Sequence, residues 1–470
     1  MVNIIIDNYI RVTGLPKHLF DEVTGRLTYP NPAFINAQKH SNSPKIRFIP
    51  RIISSYVYEN NELCLPKGYY FEFISLLTTN NVTFNIVDNR NNLRISNIPQ
   101  QAKPRSYQEQ MIEIAELYPG LTMLMQAPAG TGKTFTGLEF ARRAGRKTLW
   151  ICHTGPLLKQ AIESAEWVLG IPKKEIGVIG QGKFKVGEFL TVALVQSLHR
   201  KKKEVANLKY EFGTIIVDEV HHSPASTWKN SIHLFAPEII VGLTATAYRT
   251  DGLIQMMIDC IGPVVVKADP NMLIQERVLI IPRIFQMYTN RAFNGIAYTK
   301  LVKDIVEDRH RNEILLELIK YINEKEDSVL MVLSHRVAHV NELYDMCASA
   351  GLDPLKLLGT GMNKTEKTLA YERLKTQNPR IIIATYKLLS EGFDHPPINH
   401  MILATPFKDQ ILFEQVIGRS QRVYKDKEYS VVIDLADSNN VLMRQANVRK
   451  DIAEGLGMEV QHFNASTLEK

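Results

Sequence analysis

The sequence predicts an α/β protein: two tandem parallel-sheet domains preceded by a small α+β N-terminal domain. Three observations carry this expectation. From Tyr107 onward, short apolar runs rich in β-branched residues alternate with stretches of helical spacing, the pattern of strands buried on both faces of a parallel sheet. These runs fall into two series on either side of about residue 285: "TLWIC", "TVALV", "TIIVDE" and "EIIVGLT", then "SVLMVLS", "RIIIAT", "HMILAT" and "SVVIDL". At 470 residues the chain is also too long for one ordinary core.

Taken in order, residues 1–98 read as the small α+β domain. "KIRFIPRII" and "VTFNIVD" suggest strands, and "YYFEFISLLT" a helix. The Asn-, Gln- and Pro-rich stretch "NRNNLRISNIPQQAKPR" reads as a linker. Residues 99–285 and 286–470 are then the two larger domains, the second ending in a C-terminal tail. No short-period repeat or low-complexity tract suggests an array.

Composition narrows the class. Charged residues at 22% and hydrophobic residues at 45% describe a globular chain, and a net charge of +7 suits an anionic partner without requiring one. Cys64, Cys152, Cys260 and Cys347 are far apart, which argues against a zinc site or a disulfide framework and fits a reducing cytoplasm. The start "MVNIIIDNYIRVTG" is interrupted by Asp7 before a signal core forms, and no apolar run reaches membrane-spanning length. The expectation is a cytoplasmic protein, in the host cytoplasm if the source is a bacteriophage.

"QAPAGTGKTF", Gln126 to Phe135, follows the apolar run "LTMLM" and precedes the helical stretch "TGLEFARRAG". A glycine-rich loop between strand and helix is what phosphate binding needs. Ala129, Gly130, Thr131 and Gly132 would form the cradle, Lys133 can reach the β/γ-phosphates of a nucleotide, and the Thr134 hydroxyl can ligate Mg²⁺. Ala127 stands at the first glycine position of the usual pattern. In "TIIVDEVHH" the run Thr214 to Val217 ends at Asp218 and Glu219. Ligands of a parallel sheet gather at the carboxyl ends of its strands, so Asp218 is placed to share the Mg²⁺ with Thr134, and Glu219 to orient or deprotonate the attacking water.

"APAGTGKT", "DEVH" (Asp218 to His221) and "GLTATAYRTDG" resemble motifs I, II and III of superfamily 2 helicases, and "ATYKLLSEGFDHPPI" and "QVIGRSQR" resemble motifs V and VI, in the family's order. The resemblance implies two RecA-like domains, motifs Q, I, Ia, Ic, II and III lying in residues 99–285 and motifs IV, V and VI in 286–470. It implies that Tyr107 and Gln108 read adenine, that Asp394 contacts the ribose and Gln415 the γ-phosphate region, and that Arg419 and Arg422 are arginine fingers. Thr244 and Thr246 would couple hydrolysis to the polynucleotide track. Thr154, Gln196, His221, Ser334 and Thr385 would line or serve that track. Without the family pattern, Arg419 and Arg422 read as a solvated surface pair.

The Asp-Glu-Val-His box, Gln415 at the head of motif VI, and Arg249 and Asp251 after the TAT are similar to DNA-repair translocases and restriction-enzyme motors, with Ala247 replacing the usual proline. The layout looks most like the UvsW type of bacteriophage recombination helicase. The implied function is an ATP-dependent DNA helicase or translocase that remodels branched DNA along a single-stranded track. An RNA-directed or transcript-releasing ATPase, or a restriction-type translocase subunit, are the alternatives. Residues 1–98 are expected to be a DNA-binding accessory on a polar tether.

Overall fold

The computed structural model describes residues 1–39, 47–118, 122–128, 130–220, 225–245, 253–390, 393, 395–425 and 427–467. The chain divides into two compact units. The first is Met1–Pro128 with Gly132–Asp269; the second is Pro270–Lys470, with which Ala129–Thr131 are grouped.

The first unit opens with a five-stranded sheet in the order Val57–Glu59, Glu62–Leu65, Ile10–Thr13, Val2–Ile6, Phe84–Asp88. Alternation places Val2, Ile4, Ile6, Ile10 and Val12 on one face, where they bury against Leu19 and Val23 of helix Lys17–Arg26 and Phe73 and Leu77 of helix Tyr70–Thr79. The strand expected across "KIRFIPRII" is shorter than its composition suggests. Only Ile52–Ser54 is extended, paired antiparallel with Thr28–Pro30, because Pro50 has no N–H to give a ladder. Its first two residues, Lys45 and Ile46, lie outside the described residues.

The larger sheet of this unit runs Lys183–Lys185, Gly177–Gly180, Leu190–Leu194, Thr148–Cys152, Thr214–Val217, Ile239–Thr244, Thr122–Gln126, Val264–Lys267. All its pairings are parallel except the outermost. This RecA-like core buries Leu149, Ile151, Ile215 and Val217 without exposure, as a sheet covered by helices on both faces must.

The polar stretch before it is not a free tether. The backbone N–H groups of Asn91, Ile95 and Gln101 donate to the carbonyls of Ala236, Gly145 and Val168 at 2.7–3.0 Å. Nor does the N-terminal domain stand apart. Lys67 is fully buried and donates to the Pro237 carbonyl at 3.0 Å, Lys209 pairs with Asp7 at 2.8 Å, and Tyr9 stacks on His233 at 4.0 Å. Gly68 lies so close to the helix Ile254–Ile261 that a Cβ there would come within 2.2 Å of the Ile258 carbonyl oxygen. These contacts join residues far apart in sequence, so local composition carries no sign of them.

The second unit holds a seven-stranded, all-parallel sheet in the order Pro354–Leu357, Ile381–Thr385, Leu330–Ser334, His400–Leu403, Val431–Ser438, Arg283–Ala292, Val460–Asn464. The domain boundary expected at residue 285 falls inside the strand Arg283–Ala292, and the compact unit begins at Pro270. The expected C-terminal tail contributes the helix Asn440–Gly455 and the last strand of the sheet, whose "VQHFN" is too polar to announce itself.

Candidate functional site

The phosphate loop leaves the strand Thr122–Gln126 and enters the helix Lys133–Ala144, which stops at Gly145 with φ +62°. The loop start is held from the next strand, since the Ala127 N–H donates to the Thr244 carbonyl at 3.0 Å. Thr244 itself is fully buried. Gly130 and Gly132 have φ of +88° and +76°, a region that favours glycine. Gly132 also meets a steric limit: a Cβ there would lie 2.8 Å from Gln108 Nε2 and 3.9 Å from the Tyr107 hydroxyl. Tyr107 and Gln108, both buried on the helix Ser106–Leu117, are thereby brought against the loop.

Lys133, at the first position of its helix, keeps a nearly buried ammonium 3.4 Å from the Pro128 carbonyl and 3.4 Å from Glu219 Oε1. Thr134, one residue on, is half-buried, and Thr131 is buried. Asp218 ends the strand Thr214–Val217 and is buried. Burial, then the charge of Glu219 beside it, push its carboxyl up to about 7 against the opposing pull of Lys133. Glu219 has φ +49°, an uncommon conformation for a side-chain-bearing residue. Strain of this kind persists where surrounding structure fixes it and clusters at functional sites. A buried carboxylate beside a second one, at the mouth of a loop with exposed backbone donors, fits a divalent cation with a polyphosphate: the cation's positive charge would favour the ionised form of Asp218 that burial and Glu219 disfavour.

A supporting cluster escaped the sequence reading. Glu139 is fully buried and binds Arg142 at 2.7 Å and Arg143 at 2.9 Å, and Arg143 reaches Glu109 at 2.6 Å. This ties the helix of Tyr107 and Gln108 to the helix that begins at Lys133. The i, i+3 and i, i+4 spacing of Glu139 to the arginines was visible; that Glu139 faces inward was not.

Thr154 and Gln196 follow the adjacent parallel strands Thr148–Cys152 and Leu190–Leu194. The Thr154 hydroxyl caps the helix Gly155–Leu169, accepting from the Leu157 N–H at 3.5 Å, and Gln196 donates to the His153 carbonyl at 2.9 Å. In the second unit, Ser334 and Thr385 are register partners at the ends of neighbouring strands. Both are buried with hydroxyls engaged internally: Ser334 with His339 Nδ1 at 3.0 Å, Thr385 with the Gly359 N–H at 2.9 Å. They brace strand ends instead of facing outward.

Gln415 and Arg419 share a face of the helix Gln410–Ser420, four residues apart. Arg419 Nη2 donates to the Leu389 carbonyl at 3.3 Å. Arg422 follows the helix, paired through its backbone with Leu279, and burial lowers its guanidinium to about 10. Lys427, which the sequence reading passed over, donates to the Ser420 carbonyl at 2.8 Å and approaches the Pro396 carbonyl at 3.5 Å. Ala129, His221, Thr246 and Asp394 lie outside the described residues.

The loop, the carboxylate pair and the two parallel sheets define a nucleotide-driven motor, and comparison with known proteins agrees. Residues 101–249 match the family model "Type III restriction enzyme, res subunit" and residues 310–424 match "Helicase conserved C-terminal domain". The chain belongs to the superfamily 2 helicases and uses ATP.

Among individual proteins, it is 25% identical to "Probable helicase D10" of Escherichia phage T5 over 82% of each chain. It is 22% identical to the "ATP-dependent DNA helicase uvsW" of Enterobacteria phage T4, over 58% of this chain and 55% of that one. Among solved structures, S. cerevisiae Dbp5 bound to RNA and ADP BeF3 superposes with a TM-score of 0.55 at 15% identity, covering 78% of this chain and 91% of that one. That likeness concerns the fold alone.

Proposed function

We propose that this chain is an ATP-dependent DNA helicase or translocase that remodels branched DNA, unwinding forks and migrating junctions. The observation that carries the motor reading is the convergence of Lys133, Asp218 and Glu219: an ammonium 3.4 Å from a carboxylate held at φ +49°, beside a second, buried carboxyl. In this reading Tyr107 and Gln108 recognise adenine and the backbone of Ala129–Gly132 cradles the phosphates. Thr134 and Asp218 would hold Mg²⁺, which would supply positive charge beside the transferring phosphoryl group. Glu219 orients the attacking water and takes its proton, a role suited to a carboxylate fixed by its backbone. Gln415, Arg419 and Arg422 act on the γ-phosphate, and Asp394 on the ribose. Thr244, Thr246 and His221 couple turnover to a track served by Thr154 and Gln196, with Ser334 and Thr385 bracing its strand ends.

DNA as the substrate is supported by the sequence likeness to the T4 protein, and junction preference by a basic N-terminal domain clamped through Lys67, Asp7 and Gly68 onto Pro237, Lys209 and the helix Ile254–Ile261. A restriction-type translocase subunit is the second reading, favoured by the family model matched at residues 101–249. Steady-state ATPase assays with single-stranded DNA, a forked duplex, a four-way junction and RNA test the proposal. Greatest stimulation and unwinding on forks or junctions is expected. Stimulation by RNA alone, or by linear duplex without unwinding, would replace it with one of the alternatives.

A further inference from the structure

The two-stranded ribbon Thr28–Pro30 and Ile52–Ser54 is fastened to the motor at one end and displays an aromatic and two arginines at the other. At the fastened end, the Tyr29 and Ser55 hydroxyls both donate to Asp259 Oδ2 at 2.5 Å. Asp259 is buried on the helix Ile254–Ile261, the element that follows the "GLTATAYRTDG" segment in sequence. Tyr29 and Ile53 also pack on Leu253 and Met256. At the displayed end, the buried Asn31 holds the chain twice. Its N–H donates to the Arg51 carbonyl at 2.9 Å and its amide to the Pro50 carbonyl at 2.8 Å. Just beyond this clamp Phe48 is 88% exposed, flanked by exposed Arg47 and Arg51, the latter 5.7 Å over the Phe34 ring.

Charge supports one kind of occupant. Between Glu22 and Glu59 the sequence has no carboxylate and five Lys or Arg residues. At the chain's overall frequency of 49 acidic residues in 470, that span would hold about four. A solvent-exposed phenyl ring costs hydrophobic free energy unless something covers it, and a planar apolar ring between guanidinium groups matches a nucleobase between phosphates.

We infer that Phe48, flanked by Arg47 and Arg51, is the nucleic-acid contact of the N-terminal domain, the ring stacking on a base at the single-strand/duplex boundary and the arginines holding its flanking phosphates. This rests on the fork-directed function proposed above. Asp259 keeps the ribbon fixed against the helix Ile254–Ile261, so the ring is held at a set place relative to the unit that carries Lys133.

The test is binding of the full chain and its variants to a forked duplex and to single-stranded DNA across a salt series, with single-strand-stimulated ATPase measured alongside. Phe48→Ala should weaken fork binding about tenfold with an unchanged salt slope, and Phe48→Trp should restore it. Arg47→Ala and Arg51→Ala should each lower the salt slope by about one. ATPase stimulated by single strands should be unchanged in all four variants, and the exposure of Phe48 makes folding defects an improbable source of any loss. If the unmodified protein prefers forks and Phe48→Ala binds them equally well, the stacking role is overturned and the ring is left for a protein partner. If the unmodified protein does not distinguish fork from single strand, the fork-directed function fails and this inference with it.

Discussion

The Lys133 ammonium sits 3.4 Å from Glu219 Oε1, joining the phosphate loop to the residue assigned to water activation. Lys133→Ala is expected to abolish ATP turnover without unfolding the chain, because the side chain faces a ligand position instead of a core. Glu219→Gln should retain ATP and DNA binding and lose about 10²–10⁴ in kcat. Single-turnover hydrolysis with a nucleotide-binding assay checks both; normal turnover by the glutamine variant removes Glu219 from this role.

Arg422→Ala should lower kcat by about 10³ with little change in ATP affinity, the behaviour of a guanidinium that acts on the transferring phosphoryl group. A change confined to KM would mean that Arg422 contributes to nucleotide binding alone. Arg419→Ala should in addition loosen the segment at Leu389, whose carbonyl it holds, and protease sensitivity there would report it.

Gly68→Ala should separate the N-terminal domain from the motor unit. The added methyl would meet backbone oxygens of Ile258 and Asp259 at 2.2 and 2.4 Å, and neither can swing aside as a side-chain tip does. The expected loss is ~2 kcal/mol, or roughly 4–8 °C in melting temperature. Thermal melts decide it; an unchanged midpoint would show that the two surfaces are not tightly held. For the same reason a chain beginning near Gln100 would expose Asp259 and the Pro237 carbonyl, so point variants are the cleaner probes of the domain's role.

Acid should weaken the same junction. Burial alone would raise the Asp7 carboxyl, but Lys209, the Tyr9 N–H and Arg11 together hold it below its ordinary value of 3.8. A depressed carboxylate contributes stability that is fully present above the unfolded value and is lost as pH falls through the folded one. Wild type should therefore lose part of its advantage over Asp7→Asn as pH falls below about 4. Melts of the two proteins from pH 7 to pH 3 measure this, and a constant gap between them would exclude the linkage.

What the sequence by itself determined was local. The run "LTMLM", the glycines of "QAPAGTGKTF" and the carboxylates ending "TIIVDE" mark strand, loop and strand end because periodicity and backbone freedom are properties of neighbouring residues. The parallel strands expected in both series correspond to Thr148–Cys152, Leu190–Leu194, Thr214–Val217, Ile239–Thr244, Leu330–Ser334, Ile381–Thr385, His400–Leu403 and Val431–Ser438. Tertiary structure decided the rest. Pro50 and "VQHFN" gave weak or misleading strand signals, resolved by pairing with Thr28–Pro30 and Arg283–Ala292. The hydroxyls of Ser334 and Thr385 found partners at His339 and Gly359, which motif likeness does not reveal. The attachment of the N-terminal domain through Lys67–Pro237 and Tyr29–Asp259 spans 170 and 230 residues of chain. Contacts at such separation depend on which buried polar groups meet when the domains pack, and no local pattern of residues encodes that.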